Sequence, residues 1–174
     1  MPEEKKLRCP DGHSITLTCH PKRSPEGVVI IGSAIGISQR FYQPFAEFLA
    51  ENGFMAVTFD YRSTGKSIPA SGIWDCQITD WAVQDLETVI KWAAGQGVPV
   101  HFIGHSIGGQ IVGLAPASAT LSSITLVAAS APYWRRWPFP ARIKMRVAAR
   151  LLFPWVTAVT RQFPTRFFGL GNIT

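Results

Sequence analysis

A chain of 174 residues with 47% apolar residues, 15 glycines and 13 prolines is long enough for one globular domain with a core, and it is neither collagen-like nor low in complexity. The charged start, Met1 to Arg8, has no apolar run of signal-peptide length behind it. Nowhere do about 18 apolar residues follow one another, so secretion and membrane spanning are disfavoured and a cytoplasmic protein is expected.

In chain order, Asp11-Gly12 marks a turn joining a strand over residues 5–9 to the alternating stretch Ser14–His20, a hairpin whose second strand is half-buried by pattern. Gly27–Gly32 is a continuous β-branched run, as in a strand covered on both faces of a parallel sheet. Phe41, Phe45, Phe48 and Leu49 recur at helical spacing until Asn52-Gly53, and Phe54–Phe59 resumes a buried strand. Residues 79–94 form a second amphipathic helix with Trp81, Leu86, Val89, Ile90 and Ala93 on its apolar side. Val98–Ile103 is a strand, 107–115 a helix of small residues, and 122–128 a further strand. Alternating strands and helices predict an α/β fold with a mostly parallel, doubly wound sheet of six strands near residues 5, 15, 29, 56, 100 and 124.

From Ala131 the character changes. Tyr133, Trp134, Trp137 and Phe139 crowd among prolines and arginines, and 141–152 is a basic helix with Ile143, Val147 and Leu151 in line. Residues 1–130 are therefore the core domain and 131–174 a lid or cap. The charge divides at the same place: nine Lys/Arg against eleven Asp/Glu before residue 131, eight against none after it. Such a tail reads as a solvated face or as a surface for anionic partners such as lipid headgroups or nucleic acid, and of these contact with a membrane surface, not nucleic acid, is the expectation. Cys9, Cys19 and Cys76 are odd in number and lack ligand spacing, so free thiols are expected, with no metal and no cofactor.

Gly104-His105-Ser106-Ile107-Gly108 has the spacing of a nucleophile elbow. A serine on a sharp strand-to-helix turn needs neighbours without Cβ atoms two residues to either side, which Gly104 and Gly108 supply. The motif follows a buried strand and opens a helix, the setting that mechanism requires. Gly65-Lys66-Ser67 matches the end of a phosphate loop, but Asp60 stands where its first glycine belongs and would repel phosphate. Asp60 is expected to stabilise its turn instead, with Arg62 as a nearby partner.

With the elbow, Ile31–Gly36 after the third strand and Asp60-Tyr-Arg-Ser-Thr-Gly-Lys-Ser67 after the fourth, the chain resembles an α/β-hydrolase, close to bacterial hydrolases related to esterases and serine-aminopeptidase-like proteins. It departs from that family in having Gly32-Ser33 for His-Gly, and Ser63 for the glycine after the arginine. The resemblance implies that Ser106 Oγ attacks a carbonyl carbon of an ester, thioester or amide, and that the backbone N–H groups of Ile107 and Ala34 bind the oxyanion. It also implies a later Asp or Glu and then His. No Asp, Glu or His follows Ser106, and His13, His20, His101 and His105 each have a structural role by position, His105 pointing away from the nucleophile across the turn.

A truncated, weakly active or inactive chain is therefore expected, its last strand an apolar edge open to association or to a strand-completing partner. The alternative is a non-catalytic protein on the same scaffold, binding a membrane surface or a protein partner through its basic aromatic tail.

Overall fold

The computed structural model describes residues 1–70, 72, 76–129, 138–152, 154, 155 and 158. The chain divides into two units, Met1–Ser130 and Ala131–Thr174. In the first, β1 (Glu3–Arg8), β2 (Ser14–His20), β3 (Val28–Gly32), β4 (Met55–Phe59), β5 (Val100–His105) and β6 (Ser123–Val127) form one sheet in the order β1-β2-β4-β3-β5-β6. The β1–β2 and β2–β4 pairs are antiparallel, and β4, β3, β5 and β6 run parallel. All six expected strands are present. The hairpin closes where Asp11 Oδ1 accepts the His13 N–H at 3.1 Å, an aspartate side chain standing in for a backbone turn contact.

Helices cover both faces. On one, α3 (Glu87–Ala94) and the turn before it set Leu86, Val89, Ile90 and Ala93 against Leu17, Ile30, Phe59 and Phe102, as the spacing predicts. On the other, α1 (Gln43–Glu51) sets Ala46 and the preceding Tyr42 against Ile31 and Ala56.

Three local readings are corrected. Phe41, Phe45 and Phe48 are exposed, because small Ala46 and the half-polar Tyr42 take the sheet-facing positions of α1. The polar side of β2 is buried as well as the apolar side: the Thr16 N–H donates to Ser67 Oγ at 2.8 Å, and His20 Nε2 meets Gln43 Oε1 at 2.7 Å. Between α2 (Ile78–Asp80) and α3 the chain is π-helical over Trp81–Leu86, the Glu87 N–H reaching back to the Ala82 carbonyl. Such a widened turn shifts the helical register by one residue, and here Asp85 is fully buried on it.

In the second unit, α5 (Phe139–Val147) continues as π-helix over Ala148–Leu152, with Phe139, Ile143, Val147 and Leu151 exposed. Tyr133, Trp134 and Trp137 lie outside the described residues. No described helix is long and apolar enough to cross a membrane.

Candidate active site

The strand order places a topological switch between β3 and β5. From β3 the chain crosses to β4 on one side, then returns to β5 on the other, so the segments leaving the carboxyl ends of β3 and β5 diverge and open a crevice between them. In open α/β sheets such a crevice is where ligands bind. Gly32 and Gly104 are paired in register at its base, followed by residues 33–38 on one side and Ser106 on the other.

Ser106 caps α4 (Ile107–Ile111) with φ 51° and ψ −114°, outside the regions an L-residue favours. The strain is held by packing. A Cβ on Gly104 would come within 2.5 Å of the Gly109 Cα, and one on Gly108 within 2.6 Å of the Gly32 carbonyl oxygen and 2.9 Å of that of Ser33. The glycines thus let β5 contact α4 and let α4 abut the loop after β3. The Ser106 N–H donates to the Val127 carbonyl at 2.9 Å, fixing the elbow to β6. Its side chain is half-exposed, and Oγ makes no hydrogen bond among the described residues. Ile107, first residue of α4, has an N–H without an acceptor inside its own helix.

Ala34 lies in the loop beside the elbow, and its N–H donates to Tyr42 Oη at 3.0 Å. The same hydroxyl lies 2.8 Å from His105 Nδ1, the two rings meeting edge to face. His105 is thus engaged with Tyr42. The other histidines are also occupied: His13 by Asp11, His20 by Gln43, His101 by Ser123 Oγ at 2.8 Å. Tyr42 was not singled out in the sequence, where nothing sets it apart from the polar residues Gln39, Arg40 and Gln43 around it.

The turn after β4 is built by carboxylates. Asp60 accepts the Gln39 N–H at 2.8 Å, Gln39 Nε2 at 2.9 Å and the Lys66 N–H at 2.9 Å, which pins the loop after β3 to the turn. Lys66 itself pairs with Glu4. Arg62 is not the partner of Asp60, whose oxygens those N–H groups fill. It forms a buried bridge, with Nε 2.9 Å and Nη2 2.8 Å from Asp85 Oδ1 and Nη1 on Asp11. Burial opposes the Arg62 charge, but the two carboxylates outweigh it and hold the guanidinium protonated. Burial likewise raises Asp11, yet Arg62 and the His13 N–H bring its carboxyl below the usual range. No cluster of His, Cys, Asp or Glu among the described residues could hold a metal ion.

Residues 23–166 match the hydrolase family described as serine aminopeptidase, S33. The chain belongs to that family. RutD of Variovorax paradoxus (strain S110), named as a carbamate hydrolase, is 35% identical over 102 residues, 57% of this chain and 36% of the relative. The thermostable carboxyl esterase of Bacillus coagulans superposes with a TM-score of 0.69 at 23% identity, covering 97% of this chain and 55% of the esterase. A soluble variant of the Saccharomyces cerevisiae monoglyceride lipase gives 0.61 at 21%, covering 72% and 43%. The α/β-hydrolase fold is thereby established, and the chain spans about a third to a half of the length of these relatives.

Proposed function

We propose that Ser106 is the nucleophile of a hydrolase that cleaves an ester, thioester or amide, with residues 131–174 as its lid. The observation that supports this best is the strained Ser106 at the switch-point crevice, its hydroxyl unbonded among the described residues while Gly108 brings the loop after β3 against the elbow. Ser106 Oγ would attack the carbonyl carbon. The Ile107 N–H, at a helix start, suits the developing oxyanion, and the Ala34 N–H would join it when the carbonyl oxygen takes the place of the Tyr42 hydroxyl, since a charged acceptor forms the stronger bond. Carbamate, the group in the name of RutD, offers ester and amide linkages at one carbonyl and belongs to the same substrate class.

Among the described residues no imidazole is free to take the Ser106 proton, and a serine without a base is a poor nucleophile. The 174-residue chain should therefore hydrolyse a short activated ester no faster than Ser106→Ala. Phenylboronic acid tests the nucleophile without a base: Oγ adds to boron and the hydroxyl proton passes to water. A tetrahedral boron signal in the unsubstituted chain, lost in Ser106→Ala, is expected. Its absence from the unsubstituted chain would sink Ser106, and robust Ser106-dependent turnover would show that a base is present after all.

A second reading has its own support. Phe139, Ile143, Val147 and Leu151 recur every four residues on an exposed helical segment that carries Arg and Lys and no acid, the composition of a helix lying on an anionic membrane. Binding to phosphatidylserine vesicles that weakens as salt rises would favour it, and equal indifference to anionic and neutral vesicles would remove it. The apolar edge strand β6, with Ile124, Leu126 and Val127 exposed, likewise suits a strand-completing partner.

A further inference from the structure

We infer that Tyr42 is a positioning residue that holds the oxyanion loop and the nucleophile elbow in one arrangement through its hydroxyl, which bridges the Ala34 N–H and His105 Nδ1. The inference rests on Ser106 and the loop after β3 forming the reactive site.

The bridge follows from counting donors. Tyr42 is 8% exposed, and a tyrosine hydroxyl so placed finds its partners within the protein. The Ala34 amide can only donate, so the hydroxyl oxygen accepts there, at 3.0 Å. The hydroxyl proton then needs an acceptor, and the group within reach is His105 Nδ1, at 2.8 Å. That assignment fixes the neutral imidazole with its proton on Nε2. Burial raises the Tyr42 pKa, with the Ala34 N–H pulling the other way, so the bridging hydroxyl keeps its proton at neutral pH.

The two ends belong to separate segments. Ala34 is in the loop after β3; His105 ends β5 and immediately precedes Ser106. Tyr42 sits between them as the residue immediately before α1, and the loop it closes is fixed at Gln39 by Asp60. The span from Ala34 to Tyr42 is therefore tied at both the middle and the end. While no carbonyl oxygen is bound, the hydroxyl keeps the Ala34 N–H from turning toward other acceptors, which is the preorganisation an oxyanion donor requires.

Tyr42→Phe keeps the ring and deletes the bridge. In the isotopically labelled 174-residue chain, Ala34 amide exchange should accelerate about five-fold relative to the β3 amides, the worth of one ordinary hydrogen bond, and the His105 ring nitrogens should lose their Nε2–H signature. Phenylboronic acid should bind about ten-fold more weakly than to the unsubstituted chain, as expected when an oxyanion donor is left unaimed but present. Unchanged Ala34 exchange and His105 signals would overturn the bridge. Equal or tighter boronate binding would overturn the positioning role and make the hydroxyl a mere occupant.

Should Tyr42→Phe not fold, the unsubstituted chain decides: neutral His105 carrying its proton on Nδ1 contradicts the assignment. Ser106→Ala separates the two hypotheses, because it should abolish boronate binding and leave the Ala34 and His105 signals in place. Failure of Ser106 to bind boronate would condemn the nucleophile, while those signals still report on the bridge.

Discussion

Two turns at the carboxyl ends of the sheet, after β4 and after β5, each force a serine into positive φ, 59° at Ser63 and 51° at Ser106, yet they are finished in opposite ways. The turn after β4 is filled with bonds: Asp60 gathers three N–H groups, and Arg62 is locked between Asp85 and Asp11. The turn after β5 is held by close packing of glycines, and its serine hydroxyl is half-exposed and unbonded among the described residues. At Ser63 the strain is carried by a bonded scaffold that keeps the serine hydroxyl buried, whereas at Ser106 it turns a half-exposed hydroxyl toward a crevice. The contrast can be broken from either side.

The largest effect is expected in the first turn. Arg62→Ala leaves Asp85 buried without its cation, and removal of one partner from such a pair costs about 3–5 kcal/mol, measurable as a lower urea midpoint. Gly108→Ala comes next. Its methyl group would meet two backbone carbonyl oxygens, neither of which can rotate away, so the loop after β3 must withdraw from α4. We expect a loss of about 1–3 kcal/mol, typical of overpacking, together with loss of the boronate adduct. Retained boronate binding in a folded Gly108→Ala chain would separate the loop from the site.

These turns also show what a sequence can and cannot disclose. The strained turn at Ser106 was legible because its determinants are local: two glycines, a serine and a preceding strand lie within a few residues. The six strands and the mostly parallel sheet followed from alternation, and the buried side of α3 from its spacing. What was missed depends on distant partners. Asp85 lies four residues from both Trp81 and Val89, on the apolar side by spacing, and nothing nearby in the chain discloses the cation that lets a carboxylate be buried there. Arg62 was paired with its neighbour Asp60, while its partners are 23 and 51 residues away. Phe45 and Phe48, apolar by composition, stack on each other at the surface while Ala46 meets the sheet. Hydrophobic spacing finds a face, but the room left by the opposing strand decides which residues fill it.

A smaller effect distinguishes the two serines. Ser63 stands where the resembling family has glycine, and its hydroxyl is buried without a partner among the described residues. Ser63→Gly removes a left-handed conformation worth about 1–2 kcal/mol and returns part of it to the freer unfolded chain, a net gain of about 0.5–1 kcal/mol. Ser106→Gly should stabilise by a similar amount and abolish the boronate adduct, which Ser63→Gly leaves intact. A destabilised Ser63→Gly chain would mean that its hydroxyl is bonded in solution.

The smallest effect reads the first turn from its underside. Cys9 is buried with Sγ 3.4 Å from Asp85 Oδ1, and burial, reinforced by that carboxylate, pushes its thiol up to about 11. Because the folded pKa lies above the roughly 8.5 of a free thiol, the fold favours the protonated form. This contribution to stability is complete below about pH 8.5 and is lost as pH rises through the folded value. At pH 8 an aromatic disulfide reagent should titrate half-exposed Cys76 first, with Cys9 and Cys19 protected by burial. Arg62→Ala should reverse this for Cys9 alone, since the helix bearing Asp85 loses its tie to the turn, whereas Gly108→Ala disturbs only the far junction. Exposure of Cys9 in Gly108→Ala would show that the two turns yield together rather than separately.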